Sequence, residues 1–326
     1  MILSVVIPTR NRAPLLQRVL DSLLVQSYPA DLYEVIIVDN GSKDQTASVC
    51  GLFSKQFPNA RYYFDDRPGL HVGRHVGMRE GQGDVLVYAD DDIRAFPSWL
   101  AGIAESFEDS QVALVGGKIL PEFEIEPPNW VETLWEKTPS GKILTYFSLL
   151  DFGEEIREIS PFYVFGCNYS IRKSILLDLK GFHPDGMPEE LILLRGDGET
   201  AVAKAILDHG YKTIYNPRSS VYHYITKDRM TLEYLYRRAY AGGISSSFSE
   251  IRKQGSLGQF GFIGTIEHLI RKLHVSLSCF LSDHYKVKYA IEMGYLDGYK
   301  FHTESARRDH RLLEWILQEN YLGDPK

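Results

Sequence analysis

The feature that most constrains the fold of this chain is a series of short runs of apolar and aromatic residues. Most of these runs end at a polar turn. The runs, which we predict to be strands, cover residues 4–7, 35–38, 61–64 and 85–88. Segments predicted to be helical separate them, at residues 15–24, 46–57 and 73–80. This alternation predicts an α/β fold, in which helices cover both faces of a mostly parallel sheet.

Polar turns follow three of the predicted strands. They are residues 8–12 (Pro-Thr-Arg-Asn-Arg), 39–42 (Asp-Asn-Gly-Ser) and 90–92 (Asp-Asp-Asp). In open parallel sheets, ligands bind outside the carboxyl ends of the strands. If the strands are parallel neighbours, the three turns converge on one edge, and we expect a binding site there.

The three consecutive aspartates, Asp90, Asp91 and Asp92, are the strongest feature of that edge. Held close together, they are costly without a cation, and Mg²⁺ and Mn²⁺ prefer oxygen ligands such as carboxylates and substrate phosphates. A diphosphate bridged by a divalent metal therefore fits this turn. The alternatives are that the acids are solvated or that they cap a helix near Pro97.

Four further residues are candidates for the same site. Asp39 could accept a hydrogen bond from a nucleobase N–H group, or could simply close an Asx turn. Arg74 could face the base or the phosphates, or could be a surface arginine. Glu199 falls at the start of the predicted helix over residues 200–209, where a carboxylate could act as a general base, with Asp197 as the helix N-cap. His223, on a predicted strand, is either structural or a metal ligand that would favour Mn²⁺ over Mg²⁺.

The second half of the chain is less regular. We predict strands at residues 112–115, within 161–171, and at 211–215 and 219–224, and a loop-rich excursion at residues 121–139. From about Thr231 the pattern is helical to the end, with a break at Gly242, Gly243 and the serines that follow. Residues 260–281 read as an amphipathic helix that packs against the protein or, alternatively, lies on a membrane surface.

Composition and missing motifs exclude several classes of protein. A formal net charge of −7 argues against a dedicated nucleic-acid binder. The chain lacks the GxGxxG of a dehydrogenase and the GxxxxGK[ST] of a P-loop kinase. It also lacks the glycine-rich N-terminal loop and lysine of a sugar nucleotidyltransferase. Three scattered cysteines, no basic leader and no apolar run of membrane-spanning length predict a cytoplasmic protein, peripheral at the inner face of the membrane if it binds one.

Taken in order, these motifs resemble the family 2 glycosyltransferases, inverting enzymes with the GT-A fold. Residues 4–12 look like the family's first strand and donor loop, residues 38–42 like its base-binding turn, and residues 83–92 like the strand that leads to the DxD motif. Residues 165–172 and the Gly-Phe pair at residues 181–182 resemble later family motifs. The resemblance spans roughly residues 4–224. It implies a GT-A type, Rossmann-like sheet in a donor-binding and catalytic domain over residues 1–228. A helical extension over residues 229–326 would contact the acceptor or a membrane surface.

The resemblance also implies roles for individual residues. A nucleotide-sugar donor, most simply a UDP-sugar, would contact a set made of Pro8, Thr9, Arg10, Arg12, Asp39, Arg74, Asp90 and Asp91. The divalent cation, Mn²⁺ or Mg²⁺, would be held by Asp92, with Asp90 and His223. The catalytic acid of the family is usually part of Glu-Asp; here Glu199 stands where the Asp is common and Gly198 where the Glu would be. Glu199 is therefore the expected base, with Asp197 in reserve, and His75 is a second departure, since relatives often carry Asn there.

The implied reaction is a single in-line displacement that inverts the anomeric centre. The acceptor is a hydroxyl of a glycan, a lipid-linked molecule or a small molecule, and neither it nor the oligomeric state is encoded in a readable motif. The alternative is a catalytically inactive nucleotide-binding or scaffold module with the same fold. Hydrolysis of the donor would separate the two, because a binding module would show none.

Overall fold

The computed structural model of the protein describes residues 1–256 and 283–322. The segment predicted to be amphipathic, residues 260–281, lies outside these residues. The strands are β1 (Leu3–Thr9), β2 (Tyr33–Asp39), β3 (Ala60–Phe64), β4 (Val85–Ala89), β5 (Ile93–Ala95), β6 (Val112–Gly116), β7 (Ile119–Phe123), β8 (Glu136–Thr138), β9 (Gly141–Leu144), β10 (Leu149–Asp151), β11 (Arg157–Glu158), β12 (Asn168–Arg172), β13 (Lys212–Tyr215) and β14 (Val221–Ile225).

Helices separate the early strands and make up the C-terminal part of the described residues. They are α1 (Ala13–Leu23), α2 (Thr46–Gln56), α3 (Leu70–Glu80), α4 (Trp99–Ser106), α5 (Asn129–Glu132), α6 (Lys173–Asp178), α7 (Thr200–Asp208), α8 (Leu232–Gln254), α9 (Asp283–Arg308) and α10 (His310–Leu317). Every strand and helix predicted before residue 92 is present.

The larger sheet has eight strands in the order β11-β13-β6-β12-β4-β1-β2-β3. The pairs β4-β1, β1-β2, β2-β3 and β6-β13 are parallel, while β12 and β11 run antiparallel to their neighbours. Along β1, Val5 and Ile7 enter one hydrophobic cluster and Val6 enters the other. Both faces of this strand are therefore buried, as its unbroken apolar run predicts.

A second sheet of six strands, in the order β5-β14-β7-β10-β9-β8, leads away from the first. The chain passes from one sheet to the other at residues 90–92, between the end of β4 and the start of β5. His223 of β14 pairs with Ile93 of β5, and Asp92 accepts a backbone hydrogen bond from Tyr224. This pairing brings His223 beside the aspartate turn, although Asp92 and His223 are 131 positions apart in the sequence.

Residues 121–139 differ from the loop-rich excursion that we predict. They contain the end of β7, helix α5 and strand β8. Trp130 and Trp135 pack against the larger hydrophobic cluster, and Lys142 of β9 lies over the Trp135 ring at 4.5 Å. The prolines and acidic residues suggest a loop, but aromatic packing against the core stabilises short regular elements there.

The predicted break at Gly242 and Gly243 is wrong, because α8 runs through both glycines without interruption. A β-carbon on Gly243 would lie 2.0 Å from the Tyr295 carbonyl oxygen of α9. Gly294 and Gly298 of α9 approach the backbone of α8 in the same way. These glycines allow the two helices to pack closely, a role that the local sequence pattern does not distinguish from a break.

Replacing Gly243 with Ala should destabilise the protein, because the added methyl group meets backbone atoms that cannot turn aside. We expect a loss of about 1–3 kcal/mol in the free energy of unfolding. Gly242 is the matched control: its β-carbon would meet nothing within 4 Å, so Gly242→Ala should gain about 0.5–1 kcal/mol from helix propensity. Denaturant titration measures both. Equal effects of the two substitutions would contradict this account of the helix pair.

The predicted C-terminal extension is helical in the described residues, where α8, α9 and α10 pack around Phe248, Leu312 and Ile316. Of the helices in the described part of the chain, none combines the length and hydropathy that crossing a membrane requires. The predicted boundary between residues 228 and 229 remains a prediction.

Candidate functional site

The three polar turns meet at the carboxyl ends of β1, β2 and β4, as the sequence predicts. The backbone N–H of Asn40 donates to the Thr9 carbonyl at 2.9 Å, which joins the first turn to the second. The Thr9 hydroxyl donates to Asp91 Oδ2 at 2.7 Å, which joins the first turn to the aspartates. Pro8 is buried at the same edge, and Arg10 is exposed beside it.

Arginines surround the three aspartates, so the negative charge of the carboxylates is balanced in part by protein side chains and not by a cation alone. Arg12 donates to Asp91 Oδ1 at 2.5 Å and to Asp92 Oδ2 at 2.9 Å. Arg229 donates to the same Asp92 oxygen at 2.8 Å. Arg74 lies 3.6 Å from Asp90 Oδ1. Burial nevertheless raises the pKa of Asp90 and of Asp91, because Arg74 and Arg12 offset the loss of hydration only in part.

Hydrogen bonds indicate the tautomer of the His223 ring. Its Nδ1 lies 2.8 Å from the Phe147 carbonyl oxygen, which can only accept, so Nδ1 carries the proton. Nε2 is then a lone-pair donor, and it accepts a hydrogen bond from Arg229 at 3.1 Å. A histidine oriented by a backbone carbonyl in this way is typical of metal-binding sites.

Asp92 and His223 together provide two ligand atoms that a divalent cation could use. Asp92 Oδ1 is buried without a hydrogen-bond partner, and it lies 3.3 Å from His223 Nε2. Two lone-pair donors that face each other at this distance fit a cation. Among residues 1–256 and 283–322, no group of three or more His, Cys, Asp and Glu side chains forms a metal site. Further ligands would therefore come from substrate phosphates and water, as is common for Mg²⁺.

Glu199 enters the site from the start of α7 and is held by Arg74. Glu199 Oε1 accepts a hydrogen bond from Arg74 Nη1 at 2.6 Å. A β-carbon on Gly166 would lie 2.0 Å from Glu199 Oε1, so only glycine leaves room for this pair. Burial acts to raise the pKa of Glu199, but the adjacent Arg74 outweighs it and holds the pKa below its usual range. Glu199 is consequently ionised at neutral pH and joined through Arg74 to Asp90.

Asp39 accepts a backbone hydrogen bond within its own turn, but the donor lies three residues on, and not two residues on as in the predicted Asx turn. Its Oδ1 accepts the backbone N–H of Ser42 at 2.7 Å. Its Oδ2 accepts the hydroxyl of Tyr62 at 2.8 Å, and Tyr62 is 38% exposed. A carboxylate oxygen has a second lone pair, so a nucleobase N–H group could still bind there.

Asp197 differs from its predicted role as an N-cap. Glu199 occupies the N-cap position of α7, and no side chain caps this helix. The Asp197 carboxylate instead lies 2.5 Å from His183 Nδ1 and accepts the Ser249 hydroxyl of α8 at 2.6 Å. The bond to Ser249 joins the loop before α7 to α8. Asp197 is therefore occupied by these contacts, whereas Glu199 is joined through Arg74 to the aspartate turn.

Two residues of the site carry no sequence signal that we used. Arg229 ends the turn that follows β14, six positions after His223. The rule that ligands bind outside the carboxyl ends of strands located the aspartates, and it could also have indicated Arg229. Asp185 is buried, with one carboxylate oxygen lacking a partner, and its charge acts on both Arg74 and Glu199. Its position depends on a loop whose path the sequence pattern does not determine.

Solved structures share this fold. The mannosyltransferase PcManGT from Pyrobaculum calidifontis, in complex with GDP-Man and Mn²⁺, aligns over 99% of this chain and 88% of its own, with a TM-score of 0.56 and 20% identity. The S. aureus protein TarS (residues 1–349), in complex with UDP-GlcNAc, aligns over 94% of this chain and 92% of its own, with a TM-score of 0.51 and 16% identity. At these identities the likeness shows the fold, which confirms the predicted GT-A class with a helical C-terminal part.

Proteins of similar sequence are also named as glycosyltransferases. Glycosyltransferase AglE of Haloferax volcanii is 33% identical over 117 residues, which are 36% of this chain and 38% of that protein. The glucosyl-dolichyl phosphate glucuronosyltransferase of the same organism is 24% identical over 234 residues, 71% of each protein. The family model described as glycosyl transferase family 2 matches residues 4–176, which contain the three turns and the aspartates. The chain therefore belongs to glycosyl transferase family 2.

Proposed function

We propose that this protein is an inverting, metal-dependent glycosyltransferase that moves a sugar from a nucleotide-diphosphate sugar to an acceptor hydroxyl. The observation that carries the proposal is the connection of an ionised carboxylate, Glu199, through Arg74 to the aspartate turn. A base for the acceptor and a cluster suited to a metal diphosphate thus lie side by side. A module that only binds a nucleotide would not need a base for the acceptor.

The donor half of the site is the edge formed by the three turns. Asp39 would accept a nucleobase N–H group, for which uracil is the simplest partner. Thr9, Arg10 and Arg12 would face the ribose and phosphates, with Arg12 already drawn towards Asp91 and Asp92. Pro8 lies next to Gly73, where a β-carbon would come within 2.9 Å, and so shapes the floor of this half.

Asp92 and His223, with Asp90 nearby, would hold the divalent cation, Mn²⁺ or Mg²⁺. Bound there, the cation would supply Lewis-acid stabilisation of the charge that develops on the departing diphosphate. Arg12 contributes positive charge to the same place, since it already bonds to Asp92.

The acceptor half is organised around Glu199. In the proposed step the acceptor oxygen bonds to the anomeric carbon while the bond from that carbon to the diphosphate oxygen breaks. The proton of the acceptor hydroxyl passes to a Glu199 carboxylate oxygen. Arg74 orients this carboxylate and keeps it ionised. Attack opposite the leaving group inverts the anomeric configuration.

The nature of the donor and acceptor can be tested by turnover. We expect that one of a panel of UDP-sugars and GDP-sugars is consumed with Mn²⁺ or Mg²⁺, and that an acceptor raises the rate of nucleotide release. The panel of acceptors should include polyprenyl-phosphate-linked sugars, because a relative is named for a dolichyl phosphate substrate. NMR of the product should show an inverted anomeric centre. Retained configuration would contradict the single displacement, and no consumption of any donor would favour a scaffold role.

A further inference from the structure

Arg229 occupies an unusual position between the two prospective metal ligands. Its Nη1 donates to His223 Nε2 at 3.1 Å and its Nη2 donates to Asp92 Oδ2 at 2.8 Å. One planar guanidinium therefore bridges the imidazole and the carboxylate. The bridged Asp92 side chain is 2% exposed and that of Arg229 is 20% exposed, so the arginine approaches from the solvent side.

This bridge uses the lone pair that a cation at the site would need. His223 Nδ1 is committed to the Phe147 carbonyl, so Nε2 has only one lone pair to offer. While Arg229 donates to that lone pair, Nε2 cannot bind a metal. Positive charge on the guanidinium would also repel a divalent cation at this separation. Arg229 and the metal therefore compete for the same place.

The backbone around Arg229 lets the side chain move without unfolding its surroundings. Arg229 ends a short turn, Lys227–Arg229, in which its N–H donates to the Thr226 carbonyl at 3.1 Å. The next residues start α8, which Thr231 caps by accepting the Tyr234 N–H at 3.1 Å. With the main chain held on both sides, only side-chain torsions need to change.

We propose that Arg229 occupies the cation position in the nucleotide-free protein and exchanges places when the metal and nucleotide diphosphate bind. The guanidinium then leaves His223 and pairs with the diphosphate, for which its planar fork is well suited. Exchange makes the two ligands cooperative, since the diphosphate draws away the group that blocks the metal. This inference rests on the proposed function, because it needs a nucleotide-diphosphate site at Asp92.

The test uses the full chain and measures binding of Mn²⁺ by electron paramagnetic resonance, with and without saturating UDP or GDP. The wild type should bind Mn²⁺ alone weakly and much more tightly with one nucleotide. In Arg229→Gln, affinity for Mn²⁺ alone should rise about ten-fold or more, equivalent to about 1.4 kcal/mol. The ratio between affinities with and without nucleotide should fall by a similar factor, as reciprocal linkage requires.

Lys227→Gln is the matched control, because Lys227 is an exposed cation in the same turn. It should leave both Mn²⁺ affinities unchanged. Arg229→Lys keeps the charge but cannot bridge both partners, so an intermediate rise is expected, and this variant serves if the Gln variant does not fold. Unchanged or weaker binding of Mn²⁺ alone to both folded Arg229 variants would overturn the exchange. A wild type that binds Mn²⁺ with neither nucleotide would overturn the proposed function as well.

Discussion

Glu199→Gln should lower the rate of donor cleavage by about 10²–10⁴-fold, the range that general-base catalysis contributes. Gln keeps an oxygen that can accept the Arg74 hydrogen bond, so the geometry of the site should survive. It cannot take the proton of an acceptor hydroxyl or of water. Release of UDP or GDP from the donor measures the loss, and the affinity for the free nucleotide should stay within about two-fold, far below the 1.4 kcal/mol of a ten-fold change.

Glu190→Gln is the control for this substitution, because Glu190 is an exposed carboxylate in the same loop region. It should leave the rate of donor cleavage unchanged. If Glu199→Gln retained most of the activity, the base would have to be another carboxylate, and Asp197 and Asp185 would be examined next. A loss of nucleotide affinity equal to the loss of rate would indicate a structural role for Glu199.

The pH profile provides an independent readout of the same carboxylate. Arg74 outweighs burial and lowers the pKa of Glu199, so the ionised form persists as the pH falls and is lost only below the ordinary range of a glutamate. The contribution of Glu199 to activity should therefore be level from neutral pH down to about pH 5 and decline below the unperturbed value of about 4.3. Protonation of Asp90 or Asp91, whose pKa values burial raises, would appear as a separate decline at higher pH. Arg74→Gln should move the Glu199 decline upward. A wild-type decline centred between pH 6 and about pH 7, where histidine titrates, would assign it to another group.

The fold follows from the sequence wherever burial on both faces leaves a clear pattern. The runs in β1, β2 and β4 are almost wholly apolar, and none of these strands is at an edge of the sheet. The pattern failed where tertiary contacts override local preference. Gly243 is helical because α9 packs directly against it, and short regular elements form within residues 121–139 because Trp130 and Trp135 pack on the core.

The site could be located from the sequence, but its internal pairing could not. The rule that ligands bind at the carboxyl ends of parallel strands brought together Thr9, Asp39 and Asp92. The partners of these groups come from distant segments. Arg229 reaches Asp92 across 137 positions, and Arg74 reaches Glu199 across 125. Such contacts depend on the paths of loops, for which the chain carries no periodic signal. The repulsion among three adjacent aspartates, from which we predicted a cation, is offset in part by arginines.

Asp92→Asn should abolish most of the metal dependence of nucleotide binding. The amide keeps the shape of the carboxylate but is a poor ligand for Mn²⁺ or Mg²⁺, and it removes the negative charge that attracts the cation. Affinity for the nucleotide in the presence of Mn²⁺ should fall about ten-fold or more, equivalent to about 1.4 kcal/mol. Affinity without metal should not fall, because Arg12 and Arg229 lose a competing anion. Asp31→Asn, which changes an exposed carboxylate just before β2, at the end of that strand opposite the turns, should alter neither value.

Calorimetric titration of UDP, followed by GDP, with and without Mn²⁺, into the wild type and Asp92→Asn tests the central claim most directly. The account predicts that the wild type binds one of the nucleotides much more tightly with Mn²⁺, and that this difference nearly disappears in Asp92→Asn. Nucleotide binding that is absent, or equally tight with and without Mn²⁺ in the wild type, would contradict a metal-dependent donor site at the aspartate turn.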